Sequence, residues 1–189
     1  MPRWLLRDGE VVPDEWRTPS EAAPGDDLLL TFAEWSAERE RWLAHPAPAW
    51  PGLTHPELAR LDLARPELAR PESFRAGRLG VILSPSDAVE LLAPDLPRLA
   101  LVGAEFPGPS EGRGYSQGRL LRERFGFAGE LRARGRIGRD HVFLLARSGF
   151  NSFELPESEL EGAKGALRTF SAAYQRSNDA GLAAPLGPR

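Results

Sequence analysis

The sequence predicts an α/β domain: a parallel sheet of four to five βα units, as an open sheet or a partial TIM-like barrel, with an N-terminal hairpin and a Pro-rich arm. Three observations predict it. The runs 79–83 (Leu-Gly-Val-Ile-Leu) and 99–106 (Leu-Ala-Leu-Val-Gly-Ala-Glu-Phe) are almost continuously apolar, as strands covered on both faces are. Amphipathic stretches with start and stop signals lie between them. Strand starts near 79, 99, 130 and 152 stand roughly 20 to 30 residues apart, room for one crossover helix each.

In chain order, residues 3–12 read as a short hairpin with Asp8-Gly9 in the turn. Leu28-Leu29-Leu30 reads as a buried strand. Thr31 and Glu34 have capping-box spacing, and Trp35, Trp42 and Leu43 form one helix stripe. Four of the five tryptophans lie in residues 4–42, and packing is their simplest role. Residues 45–78 hold prolines at 46, 48, 51, 56, 66 and 71 and two copies of Pro-Glu-Leu-Ala-Arg. That stretch reads as an exposed arm. Strand 79–83 is followed by a helix from Ser84-Pro85 that stops before Pro94, then by strand 99–106. A helix over about 115–125, a strand 129–134, and a helix over about 137–148 with Gly149 at C′ come next. Strand 152–155 precedes a last helix opened by Pro156 and the pair Ser158/Glu161, with Leu160, Leu167, Phe170 and Tyr174 on one stripe. The expected divisions are 1–44, packed in the same domain as the βα-repeat core 79–177, the arm 45–78, and a disordered tail 178–189.

Composition excludes several chemistries. With no cysteine there is no thiolate zinc site, iron–sulfur ligation, thiol nucleophile or dithiol redox pair. The three histidines, His45, His55 and His141, have no metal-ligand spacing. No apolar run is long enough to span a membrane, no targeting segment is visible, and a cytoplasmic location is expected. The net charge is −3, but it is unevenly spread. Residues 111–147 hold nine arginines against four acidic residues, a local +5 that leaves −8 for the remainder. Such clustering attracts anions or acidic partner surfaces. Nucleic acid is not expected: the overall charge is acidic and no aromatic–basic alternation appears.

In parallel α/β sheets, ligands bind beyond the carboxyl ends of the strands. Those ends carry Glu105, then Arg132, Arg134 and Arg139 with Asp140, then Glu154. The loop before the 115–125 helix runs Gly112-Arg113-Gly114-Tyr115-Ser116, with Gly118 and Arg119 following. Ser116 can cap that helix, and free N–H groups at its start suit a phosphate, sulfate or sulfite, with Arg113 and Arg119 adding charge-assisted hydrogen bonds. The glycine spacing misses the dinucleotide fingerprint by one residue and lacks a P-loop lysine; alternatively, those glycines merely permit tight turns. The expected anion or cofactor site is therefore Arg113, Gly114, Tyr115, Ser116, Arg119, Arg132, Arg134 and Arg139. Glu105, Asp140 and Glu154 would support it as salt-bridge partners rather than as general bases.

Residues 79–155 carry, in order, LGVIL, LAPDL, EFP, GRGYS, RLLRER and GFAGELR, then Arg139-Asp140, Gly149-Phe150 and Phe153-Glu154. This text resembles the DUF934 family. The resemblance implies a bacterial protein of assimilatory sulfate and sulfite reduction, an oxidoreductase or an accessory, with no catalytic residues to carry over. An oxidoreductase would need a diffusible flavin or nicotinamide nucleotide, since the chain has no redox group of its own. A non-enzymatic role would make the chain an interaction partner of sulfite reductase. The sequence departs from the family pattern at Glu111, Arg136, Ser148 and Asn151. Arg136 stands where an aspartate usually opens the helix, a change that removes an N-cap and opposes the helix dipole.

Overall fold

The fold is seen in a computed structural model, which describes residues 3–23, 25–43, 77–108 and 111–167. Almost all of the Pro-rich arm, the tail, and Phe170 and Tyr174 lie outside the described residues. Seven strands form one open sheet: β1 (Trp4–Arg7), β2 (Glu10–Pro13), β3 (Leu28–Thr31), β4 (Leu79–Leu83), β5 (Leu101–Phe106), β6 (Glu130–Gly135) and β7 (Ser152–Phe153). Their order is β2-β1-β7-β6-β5-β4-β3. Strands β3 to β7 are parallel and adjacent in chain order. The hairpin joins antiparallel at the β7 edge, where Leu6 pairs with Phe153. Its turn has Asp8 at φ 51° and Gly9 at φ 81°, the two positive φ values of a type I′ turn, which twists with its strands.

The helices are α1 (Phe32–Ala37), α2 (Arg39–Leu43), α3 (Val89–Leu92), α4 (Arg113–Arg119), α5 (Arg139–Arg147) and α6 (Glu157–Leu167). One face of the sheet carries Leu28, Leu30, Val81, Leu83, Val102, Ala104, Leu131 and Ala133. These residues share one core with Trp35 and Trp42, Val89 and Leu92, Leu121, Val142 and Leu145, and Leu160 and Ala163 from the helices. The helix layer therefore lies on one face, and the opposite face bears no helix among the described residues. That second face starts from alternate residues, Leu29, Ile82 and Leu101, which with Ala100 and Trp16 form a separate small core.

Several elements depart from the sequence expectation for local reasons. Residues 84–88 are not helical: the Asp87 carboxylate accepts the Ser84 N–H at 2.7 Å, closing a turn. The helix then continues past Pro94 as a 3-10 segment, Ala93–Arg98, because proline at its start lacks only an N–H that would be unbonded anyway. The 115–125 helix is instead α4 followed by a π turn, Leu120–Arg124. The last helix begins at Glu157, so Ser158 and Glu161 lie inside it. The Thr31/Glu34 capping box is present, and so is the Gly149 C′ turn: Gly149 is at φ 103° and the Phe150 N–H reaches the Leu145 carbonyl at 3.1 Å.

Arg132, expected at the strand-end site, is fully buried at mid-strand. Its Nη1 donates to Asp14 Oδ1 at 3.0 Å. Its Nε and Nη2 donate to Glu130 Oε1 at 3.0 and 2.8 Å. Asp14 also accepts the Trp16 N–H at 3.2 Å. The clamp pins the segment after the hairpin onto the helix-free face. Removing one partner of a buried ion pair leaves an uncompensated charge. Asp14→Ala is therefore expected to destabilise the fold by about 3–5 kcal/mol, read as a lower urea midpoint.

A second clamp joins β3 to the entry of β4. Arg78 Nε donates to Asp27 Oδ2 at 2.9 Å and the Arg78 N–H to Oδ1 at 2.7 Å. Burial pushes the Asp27 carboxyl up, but the hydrogen bonds from the Arg78 side chain and backbone outweigh it and hold the group below its ordinary 3.8. A depressed carboxyl stabilises the fold above its unfolded pKa and loses that contribution as pH falls through the folded value. The stability difference between the natural chain and Asp27→Asn should be full near pH 7 and shrink below about pH 4, measured by denaturation at each pH.

Candidate functional site

The carboxyl ends of β5 and β6 lie side by side, with Glu105 paired to Arg134 and Phe106 to Gly135. Helix α4 rises from this rim. Its N-cap is Gly112, not Ser116, which lies inside the helix. The Arg113 N–H at its start already donates to Glu111 Oε1 at 3.0 Å. The chain's own carboxylate thus holds the place expected for an oxyanion. At α5 the N-cap is Gly138, two residues beyond Arg136, so Arg136 does not open the helix. The Gly138 N–H donates to His141 Nδ1 at 3.1 Å, and the Arg139 N–H donates to Glu159 Oε2 of α6 at 3.0 Å. At each of these helix starts the chain's own side chains thus take one or two of the N–H groups.

Two glycines of the 112–118 stretch, Gly114 and Gly118, serve packing, whereas Gly112 is the N-cap of α4 with open space beside it. A Cβ at Gly114 would strike the Phe106 ring, and one at Gly118 the Phe150 ring. The Gly114/Gly118 spacing lets α4 lie directly on those two rings, which meet edge to face at 6.0 Å. Tyr115 packs edge-on to Phe106 with centroids 5.3 Å apart. Burial, and behind it the Asp140 carboxylate, raises the Tyr115 phenol above its ordinary value. It is a standing hydroxyl, not a base, at neutral pH.

The predicted residues divide into four places. Arg113 and Arg139 are exposed at the rim, at the starts of α4 and α5; beside them stands the exposed Arg136, outside the expected set, whose N–H donates to the Phe106 carbonyl at 2.6 Å. Their guanidinium groups make no ion pair among the described residues. Arg134 stands on the helix-free face between Glu105 and Glu154, with Nε 3.6 Å from Glu154 Oε2. Ser116 and Arg119 face outward on α4, where Arg119 pairs with Glu123 at 3.1 Å. Arg132 is enclosed by its two carboxylates. The arginines therefore do not gather around one hollow, because strand alternation sends Arg132 and Arg134 to one face while the helices carry the others on the opposite face.

Sequence reasoning overlooked two groups. Arg122 on the π turn is turned inward: it donates to the Gly149 carbonyl at 2.9 Å, the Gly129 carbonyl at 2.9 Å, the Phe127 carbonyl, and Asn151 Oδ1 at 3.3 Å. Burial pulls its pKa down to about 10, against the pull of Asp8. It is a structural cation held by carbonyls. The second group is a hollow of about 540 Å3 on the helix-free face, bounded partly by residues 18–20, a loop with no motif to announce it. Among the described residues no three His, Asp or Glu side chains are placed to hold a metal, and no helix is long and apolar enough to cross a membrane.

A model of DUF934, described as a bacterial protein of unknown function, matches residues 80–184, more than half of the chain. The chain belongs to the DUF934 family. No curated protein matches it. The match begins inside β4, so β5, β6, β7 and the three rim arginines all lie within the family segment, whereas the hairpin, Asp14 and β3 precede it.

The Gly118 contact gives a direct test of the packing role. Gly118→Ala forces the buried Phe150 ring aside and should cost about 1–3 kcal/mol of unfolding free energy. If the glycines instead serve only as turn formers, alanine in this helical position would be neutral or stabilising.

Proposed function

We propose that this DUF934 protein is an accessory of assimilatory sulfate and sulfite reduction that presents the arginine rim of β5 and β6 to a small oxyanion. The observation that carries this reading is the set Arg113, Arg136 and Arg139: three exposed guanidinium groups at one end of the sheet with no carboxylate partner among the described residues. Elsewhere the chain pairs its arginines closely, as at Arg132, Arg78 and Arg39. Unpaired guanidinium groups suit sulfite or sulfate, whose oxygens accept paired N–H bonds. The sulfur setting comes from the family resemblance, and the oxyanion from the charge.

The rim is open rather than enclosed, which favours a second reading: docking on an acidic surface of sulfite reductase. The two readings part experimentally. Titration calorimetry with sulfite and sulfate should give binding that falls roughly tenfold or more in the triple variant Arg113→Gln/Arg136→Gln/Arg139→Gln, because hydrogen bonds to charged groups are worth about 1.5–3 kcal/mol each. If neither anion binds but sedimentation with sulfite reductase shows a salt-sensitive complex lost in the variant, the docking reading holds. No heat and no complex removes both. A deletion strain rescued by sulfide but not by sulfite would place the protein at the reduction step.

A further inference from the structure

The hollow on the helix-free face lies across the sheet from the arginine rim and carries an inference independent of it. Its floor is Leu29 and Ile82. One wall is Arg134, and the other is built by Thr18, Ser20 and Glu34. Its 540 Å3 falls in the range of small-molecule pockets. In the sheet Ile82 pairs with Gly103, whose missing Cβ lets the Ile82 side chain lie over β5, while Arg134 pairs with Glu105 two residues further along β5.

The polar groups of the two walls have unused valence of opposite kinds. The Arg134 fork makes no hydrogen bond among the described residues, since its one close carboxylate, Glu154, stands 3.6 Å from Nε. Across the hollow, Glu34 is fixed by the capping box: its Oε2 accepts the Thr31 N–H at 2.7 Å and the Thr31 hydroxyl at 2.8 Å. Its Oε1 makes no hydrogen bond among the described residues. Thr18 gives its one hydroxyl proton to Glu21 at 3.0 Å. Ser20, 3.1 Å from Thr18 Oγ1, must then donate to it, which leaves Ser20 Oγ as an acceptor. One wall therefore presents the Arg134 guanidinium, which has hydrogen-bond donors to spare beside its ion pair with Glu154, and the other presents the free acceptors of Glu34 and Ser20, above an apolar floor.

We infer that this hollow binds a small zwitterion with an apolar body, of the amino-acid or dipeptide kind: its carboxylate lies on Arg134, its ammonium group on Glu34 and Ser20, and its side chain on Leu29 and Ile82. A simple oxyanion satisfies only one wall. A cation satisfies only the other. Glu34 is already immobilised by its cap, so holding it costs the complex little further entropy.

Titration calorimetry on the full chain tests this with four probes: L-leucine, glycyl-L-leucine, isovalerate and isoamylamine. At least one zwitterion should bind, and each single-charge analogue should bind roughly tenfold more weakly or not at all. Arg134→Gln should weaken the zwitterion by about the same factor. So should Glu34→Gln, which keeps the capping box because glutamine serves at that position; in it, the advantage of the zwitterion over isovalerate should vanish. Should Arg134→Gln fail to fold, Ser20→Trp, on an exposed loop, blocks the hollow and should abolish binding. The triple rim variant should bind the zwitterion unchanged. No heat from either zwitterion, isovalerate binding as tightly as leucine, or affinity unaffected by Glu34→Gln would overturn the inference.

Discussion

The Arg132 guanidinium, buried at the centre of the helix-free face and clamped by Asp14 and Glu130, is the interaction on which the rest depends. A parallel sheet is ordinarily covered on both faces, and here, among the described residues, helices cover only one. The second face is closed near its centre by charge. Asp14 comes from 118 positions earlier in the chain, and the bond draws residues 14–20 across the sheet. Trp16 follows Asp14 into the small core beside Leu29 and Leu101. Thr18 and Ser20 then fall beside Thr31 and Glu34. The hollow beside Arg134 is what remains where this covering segment stops.

Charge elsewhere follows the same logic of internal saturation. Helix starts attract anions because their first N–H groups have no partner in the helix. At three helix starts a carboxylate of the chain accepts a backbone N–H: Glu111 from Arg113 at α4, Glu159 from Arg139 at α5, and Glu34 from the N-cap Thr31 at α1. An intramolecular carboxylate has a high effective concentration and loses little entropy on docking, so a dilute external anion competes poorly with it. What is left for a ligand is not the helix ends but the guanidinium groups that found no acid. Among the described residues these include the exposed Arg113, Arg136 and Arg139, whereas on the other face Arg134 keeps Glu154 at 3.6 Å and has donors to spare.

Much of the architecture was legible. Continuous apolar strands, the Asp8-Gly9 turn, the Thr31/Glu34 box and the Gly149 stop are local signals, and each appears where the pattern put it. The departures are also local in origin. A turn closed by Asp87 replaced one helical start, and the π turn at 120–124 let Arg122 swing inward to carbonyls from two loops. The site was less legible. Arginines close in sequence were read as close in space, yet a strand sends successive side chains to opposite faces and a helix turns them by about 100° each. The glycines of 112–118 looked like an anion loop, yet Gly114 and Gly118 are the contact surface for Phe106 and Phe150, which no spacing rule distinguishes.

By itself, the amino-acid sequence determined the class of fold, the order of strands and helices, the family, and the excess of arginine over residues 111–147, since these rest on short-range pattern and composition. Only the tertiary structure decided which arginines are spent on holding the chain together and which stay available. That decision depends on pairings such as Asp14 with Arg132, between residues far apart in sequence. It also depends on which face of the sheet each side chain meets, and both are settled by packing and desolvation rather than by any local preference.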